Sequence, residues 1–339
     1  MPDAQRTVVV TGANGLVGSR LVARLSAEGG TEVIAVGRGA VRGPALARVR
    51  YVELDLLGPG GANSARGPAG SDRAEGAGGL AALGALIERE RPAAVLHAAA
   101  MTDVDACERE PASAKLVNET ACAVVARAAT RVGARLVALS TDYVFDGEAG
   151  PYDEEARPNP RGVYATTKLA GERAAQEHAP GAIIARVAVI FSGQGGAKKT
   201  FAVSAADALA QGREVKAFHD QVVSPTLADN AAALVLSVLR FGAPGVYHCA
   251  GATALSRVDF CRRLARRLGA DERLVVPVAL AELKLPAPRP LRCALVVDKV
   301  TRLLEAAGRS GLRSDGLDLP LGIDDALDRF LAERAEVTG

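Results

Sequence analysis

A doubly wound α/β fold, with a parallel sheet between helical layers and a smaller mixed lobe toward the C-terminus, is predicted by three features of the chain. Short unbroken apolar runs alternate with stretches of helical spacing as far as Val187. The first of these runs opens directly into a glycine-rich turn and an amphipathic helix. Beyond Ala188 the alternation loosens into helices separated by short strands and a proline-rich stretch. Strands buried on both faces read as continuous apolar runs rather than as alternating ones, so this pattern points to a parallel sheet.

Taken in order, Arg6 to Thr11 reads as the first strand, followed by Gly12-Ala13-Asn14-Gly15-Leu16-Val17-Gly18 and then Leu21, Val22 and Leu25 at helical spacing. Glu32 to Gly37 is the second strand, at the distance expected of a βαβ unit. Asp55-Leu56 follows a third apolar run. Between Leu57 and Gly79 the chain is rich in Gly, Ala, Pro and Ser and lacks apolar periodicity, which predicts a flexible surface insertion. Strands are expected at Ala93 to His97, Arg135 to Ser140 and Ala182 to Val187, the last following a helix that carries Tyr164. Further helices are expected near 198–211, 227–240, 256–268, 298–307 and 324–333.

At 339 residues the chain exceeds the usual size of one domain, so a large domain plus a smaller one is expected. Lys+Arg 41 against Asp+Glu 39, with no basic tract, argues against nucleic acid or an anionic membrane as partner and favours a small-molecule ligand. Cys107, Cys122, Cys249, Cys261 and Cys293 lack any Cys-x-x-Cys spacing, so buried free thiols are expected rather than disulfides or a zinc site. His178, His219 and His248 have no spacing that indicates a metal site. With no charged leader and no apolar run near the roughly 18 residues of a membrane span, a soluble cytoplasmic protein is expected.

The Gly12-x-x-Gly15-x-x-Gly18 turn closes the first strand and opens a helix, the context in which a dinucleotide pyrophosphate is held. Gly12 permits the tight turn, Gly15 lets the backbone approach the phosphates, and Gly18 lets the helix pack closely. The helix N-terminus supplies free N–H donors and the positive end of its dipole. Arg38 stands where a carboxylate would favour NAD, so it is placed to pair with a 2′-phosphate and NADPH is expected, with NADH as the alternative. Asp55 and Leu56 are placed to bracket the adenine. On this reading residues 1–187 form a Rossmann-like dinucleotide-binding domain, with 57–79 as its insertion and parts of 213–250 completing the sheet. Residues 188–212 and 251–339 form the substrate lobe.

Tyr164 and Lys168 are four residues apart on the expected helix, a spacing that puts both on one face about 5–6 Å apart. A neighbouring ammonium favours ionisation of a phenol, which suits Tyr164 to proton donation near neutral pH. Ser140-Thr141-Asp142 lies upstream, at the end of a strand. His97, also at a strand end, is expected to be a packed residue with a satisfied ring, and Asp153-Glu154-Glu155 a solvated turn.

Four stretches together resemble the extended short-chain dehydrogenase/reductase family, and within it the dTDP-4-dehydrorhamnose reductase branch. They are the glycine turn, Ala98-Ala99-Ala100-Met101-Thr102-Asp103-Val104-Asp105, Ser140-Thr141-Asp142-Tyr143-Val144-Phe145-Asp146-Gly147, and Val163-Tyr164 through Gly171-Glu172. A fainter fifth is Asp220-Gln221-Val222-Val223-Ser224-Pro225-Thr226.

The resemblance implies reduction of a 4-keto sugar on a nucleoside diphosphate, with Thr141, Tyr164, Lys168 and Asp142 as the catalytic group and Asn118 supporting it from a neighbouring helix. It implies contacts to the cofactor from Gly12, Asn14, Gly15, Leu16, Val17, Ala98, Ala99, Ala100, Tyr164 and Lys168. Contacts to the sugar nucleotide are implied for Thr102, Asp103, Thr141, Val189 and Arg289, and a homodimer is a candidate assembly. The chain departs from the branch at Val187-Ala188-Val189-Ile190-Phe191, where a Thr-Ser-Trp-Val-Tyr run is common, and at Val223, where glycine is usual. Two alternatives accompany the resemblance: a nucleotide-sugar 4-epimerase of the same fold, and a non-catalytic subunit like the regulatory beta subunit of methionine adenosyltransferase. A 4,6-dehydratase is disfavoured, since Tyr143 stands where those enzymes carry an acidic residue.

Overall fold

The computed structural model describes residues 6–42, 45–58, 78–194, 199–308 and 316–338. In chain order the elements of the first half are β1 (Arg6–Thr11), α1 (Leu16–Ser26), β2 (Thr31–Gly37), β3 (Val49–Glu53), α2 (Gly79–Glu90), β4 (Ala94–His97), α3 (Val104–Arg109) and α4 (Pro111–Lys115). A π-helical turn, Leu116–Thr120, leads into α5 (Ala121–Val132), β5 (Arg135–Thr141) and α6 (Gly162–His178). Then follow β6 (Ile183–Val187), β7 (Ile190–Phe191), α7 (Phe201–Ala210), β8 (Val215–Phe218), β9 (Val222–Val223) and β10 (Thr226–Leu227). The last elements are α8 (Ala228–Phe241), β11 (Gly245–His248), β12 (Leu255–Ser256), α9 (Arg257–Leu268), β13 (Val275–Val278), α10 (Asp298–Ala306) and α11 (Ile323–Thr338). Most of the insertion expected at 57–79 lies outside the described residues, and its last position, Gly79, already belongs to α2.

Seven strands form one sheet in the order β11-β6-β5-β4-β1-β2-β3. The strand order reverses next to β1, whose neighbours β2 and β4 both run parallel to it. A reversal of this kind opens a crevice at the C-terminal strand ends, where open α/β sheets take their ligands. The register sets Thr11 against His97, so the last residues of β1 and β4 meet at that end.

The chain divides into two compact units. The first comprises 1–140, 162–185 and 238–246. Its core includes Val9, Ile34, Leu83, Ile87, Val95, Val125, Leu136 and Ile184, drawn from β1, β2, α2, β4, α5, β5 and β6. The apolar runs read in the sequence are therefore the strand interiors, and their burial is the main stabilising term. The second unit comprises 141–161, 186–237 and 247–339. Its core gathers Phe191, Leu209, Leu227, Phe260, Leu264, Leu327 and Phe330 from β7, α7, β10, α9 and α11. Phe191 meets Phe260 and Phe330 edge-on, with ring centroids 5.4 and 5.6 Å apart. Ser256 is the N-cap of α9, its hydroxyl accepting from Asp259 N (3.0 Å) and donating to Asp259 Oδ2 (2.7 Å). No helix among the described residues is long and apolar enough to cross a membrane. All five cysteines are buried free thiols.

Candidate active site

In the first unit the glycine turn is packed so tightly that two of its three glycines admit no side chain. Gly12 holds φ 68°, and a Cβ there would lie 2.6–2.7 Å from the backbone of Ala98 and Ala99. A Cβ on Gly18 would lie 2.1 Å from Gly12 O, so α1 rests directly on the turn. Gly15 is the N-cap of α1 and has no side chain to occupy the helix N-terminus, and the first turn carries no acidic residue. Such an end offers unfilled N–H donors to an oxyanion, so the turn fits a dinucleotide pyrophosphate.

Asn14 ties the turn to the loop that follows β2. Asn14 Nδ2 donates to Arg38 O and Ala40 O, both at 3.0 Å, and to Tyr51 Oη at 2.8 Å. Tyr51 Oη in turn donates to Gly39 O at 2.6 Å. Asn14 and Tyr51 thus fix the loop that carries the exposed Arg38. Tyr51 is a residue the sequence reading missed, and a single aromatic in a short strand gives no signal of this junction. Leu16 and Val17 open α1, with Val17 buried. Asp55 Oδ1 accepts from Leu57 N (3.0 Å), closing its own turn, and Leu56 packs against the core of this unit. Ala98, Ala99 and Ala100 run half-buried from the end of β4. His97 is buried and shares a 2.8 Å hydrogen bond with Thr11 Oγ1, as expected of a packed ring. Burial pushes His97 down to about 3, so the ring is neutral.

Tyr164 and Lys168 both lie on α6, as the spacing predicts. The Lys168 ammonium is buried and donates to Leu139 O at 2.7 Å, which fixes it against β5. Burial pushes its pKa below the ordinary lysine value, with Cys122 and Glu172 pulling the other way. Tyr164 is half-buried. The helix is held by two devices. Val163 N donates to Glu108 Oε1 at 2.7 Å, a carboxylate serving the helix N-terminus from 55 residues away. Asn118, placed by the π-helical turn, accepts from Met101 N (2.8 Å) and donates to Met101 O and Thr167 Oγ1, both at 3.2 Å. Asn118 therefore ties the segment after β4 to α6. Gly171 on α6 lies so close to this turn that a Cβ would sit 2.2 Å from Asn118 O. Thr102 is exposed, and Asp103 caps α3 by accepting from Ala106 N at 3.0 Å.

The second unit carries Thr141 and Asp142, both buried. Thr141 Oγ1 donates to Asp142 Oδ1 at 3.0 Å and accepts from Tyr143 N at 3.2 Å. Burial drives the Asp142 carboxyl up to about 7, against the opposing hydrogen bond from Thr141 and the charge of Arg257. Arg257 donates to Gln221 Oε1 at 3.2 Å, and its guanidinium lies over the Phe201 ring, 4.9 Å from the centroid. With Val189, Phe201, Pro225 and Phe260 it lines a small, largely apolar cavity of about 20 Å³. Val189 holds φ 39°, a left-handed conformation rare for a β-branched residue and worth about 1–3 kcal/mol of strain. Its carbonyl accepts from Thr226 N at 3.1 Å. Arg289 is half-buried and lines a second, open cavity of about 360 Å³ with Asp146, Asp220 and Arg292.

One expectation is corrected. Glu154 is not a solvated turn residue: it is half-buried and accepts from His248 N at 2.9 Å. Burial raises its carboxyl above the usual range, while Asp153 and Glu155 on either side are exposed. Among the described residues no group of three potential metal ligands comes together.

The family described as the RmlD substrate binding domain matches residues 6–310. The chain is similar to a dTDP-4-dehydrorhamnose reductase of Streptomyces griseus, with 36% identity over 289 residues covering 83% of either chain. It is 41% identical over 207 residues to the dTDP-4-dehydrorhamnose reductase of Mycobacterium tuberculosis, covering 59% of this chain and 67% of that one. Among solved structures, a dTDP-4-dehydrorhamnose reductase of Clostridium acetobutylicum superposes with a TM-score of 0.75 at 28% identity, covering 96% of this chain and 98% of that one.

Proposed function

The chain belongs to the RmlD substrate binding domain family, and from that membership we propose that it is an NADPH-preferring reductase of a 4-keto sugar carried on a nucleoside diphosphate. The observation that carries the reading is the α6 array: Tyr164 one turn before a buried Lys168 whose ammonium is anchored on β5. The glycine turn in the same unit suits a dinucleotide. NADPH, when bound, supplies the hydride that reduces the ketone carbon.

In this reading Tyr164 donates the proton to the forming alkoxide, and Thr141 hydrogen-bonds the same oxygen. Lys168 favours the ionised phenol after donation and orients the nicotinamide ribose. Its bond to Leu139 O leaves two ammonium hydrogens for those tasks. Gly12, Gly15, Leu16 and Val17 hold the pyrophosphate, Asn14 positions Arg38 for the 2′-phosphate, and Asp55, Leu56 and Ala98 to Ala100 flank the rest of the cofactor. Thr102, Asp103, Val189 and Arg289 are assigned to the sugar nucleotide. The strained Val189 backbone supports its place in that group, because such strain persists where function fixes a conformation.

The test is incubation with NADPH and a panel of nucleoside-diphosphate 4-keto sugars, following absorbance loss and product together. The expected result is one alcohol formed for each NADPH consumed. Conversion without net NADPH consumption would indicate epimerisation instead, and no conversion of any member would overturn the assignment.

A further inference from the structure

A hydroxyl group has one proton to donate and two lone pairs. At Thr141 the proton points to Asp142 Oδ1 (3.0 Å) and one lone pair takes Tyr143 N–H (3.2 Å). An ionised carboxylate can only accept, so while Asp142 is charged Thr141 keeps its proton on Asp142. It then presents only a lone pair to any further group. A forming alkoxide requires the opposite, a donor. A protonated Asp142 reverses the chain: its O–H donates to Thr141 Oγ1 and frees the threonine proton.

The surroundings favour the protonated form. Asp142 is 2% exposed, and its Oδ2 is buried with no hydrogen-bond partner, a costly position for a charged oxygen. The groups that face it are Thr141 at the end of β5, Tyr143 beside it, Arg257 on α9, Cys293 before α10, and the backbone N–H groups of Asp142 and Tyr143; those two N–H groups favour the ionised form and are outweighed by burial. Burial pushes Tyr143 up to about 12 and Cys293 higher than any physiological pH, so both are neutral. Arg257 is the one opposing charge among these, and it acts on Asp142 as a charge without a hydrogen bond between them, its Nε donating to Gln221 Oε1 instead.

We propose that Asp142 is a positioning residue that sets the direction of the Thr141 hydroxyl, and that the enzyme turns over only while Asp142 carries a proton. The inference rests on the reading of Thr141 as donor to the ketone oxygen. No proton leaves Asp142 during the reaction; the proton taken up by the product comes from Tyr164.

The experiment is the pH profile of kcat at saturating substrate and NADPH for the wild type and for Asp142→Asn, Arg257→Gln and Thr141→Val. With half-protonation near pH 7, the wild-type rate should be about 25-fold lower at pH 8.5 than at pH 6.5. Asp142→Asn keeps the shape and holds an N–H donor toward Thr141 at every pH, so its profile should be flat over that range. Arg257→Gln removes the charge that favours ionisation, so the descending limb should move to higher pH. A wild-type limb retained in Asp142→Asn, or an unmoved limb in Arg257→Gln, would overturn the proposal. So would an Asp142→Asn protein that binds NADPH normally yet is inactive throughout. If Thr141→Val turns over at the wild-type rate, the reading of Thr141 fails first, which separates the two failures.

Discussion

Exchange of Gly18 for alanine probes the close packing of α1 on the glycine turn. The new Cβ would lie 2.1 Å from Gly12 O and 2.8 Å from Gly12 C, both backbone atoms with no side chain to move aside. Reaching ordinary contact, beyond 3.4 Å, requires a displacement of about 1.3 Å between helix and turn. Overpacking of this kind costs about 1–3 kcal/mol of folding stability. The same shift carries the N–H donors of α1 out of hydrogen-bond range of a bound phosphate. Loss of one charge-assisted hydrogen bond, about 2 kcal/mol, weakens NADPH about 30-fold. Fluorescence titration of NADPH measures the affinity, and a thermal melt without cofactor measures the stability. Gly15→Ala is the milder comparison, since its Cβ meets only Gly12 O, at 3.1 Å, a contact relieved by a shift of a few tenths of an ångström where Gly18→Ala needs more than one. Wild-type affinity and Tm in Gly18→Ala would refute the reasoning.

Three further outcomes are expected. Arg38→Asp should shift preference from NADPH toward NADH, read as the ratio of the two dissociation constants; equal NADPH affinity in both forms would end the assignment. Asn118→Ala removes three hydrogen bonds at a buried position and should lower stability by about 2–4 kcal/mol in a denaturant titration, with kcat falling as the hold on α6 loosens. An unchanged midpoint would show that Asn118 does not tie these segments. His97 and His248 are both pushed down to about 3 by burial. Their folded values lie below the unfolded 6.5, so the unfolded chain binds the extra protons, and the stability present above pH 6.5 is lost as the pH falls toward 3. Asp142, raised to about 7, works in the opposite sense, its share being lost as the pH rises from about 4 to 7. Glu154, also raised by burial, acts in the same sense as Asp142, and the two histidines outweigh both carboxyls, so stability should fall between pH 6.5 and 4.5, which unfolding titrations at those two pH values measure. A protein more stable at pH 4.5 would contradict the sign.

The sheet was legible because its strands lie between helical layers. Val8 to Val10, Val33 to Val36 and Ala94 to Leu96 are buried without alternation, and burial of that kind leaves an unbroken apolar run in the sequence. The glycine turn was legible because its spacing is forced by backbone contacts that no side chain can share. What stayed hidden depends on pairing across distance. Glu108 reaches Val163 N, Tyr51 meets Asn14, and Glu154 receives His248 N, and none of these pairs has a period in the sequence. The π-helical turn at Leu116–Thr120 was also hidden, because apolar spacing does not separate it from the helices on either side. The two-residue strands β7, β9, β10 and β12 are too short to leave a pattern.

The most direct measurement is single-turnover reduction of a nucleoside-diphosphate 4-keto sugar by Tyr164→Phe, beside an NADPH titration of the same protein. The exchange keeps the ring and removes only the hydroxyl. The rate should fall by about 10²–10⁴ while NADPH affinity stays within about twofold of the wild type. Turnover at the wild-type rate would contradict it, because the carbonyl oxygen would then be receiving its proton from another group.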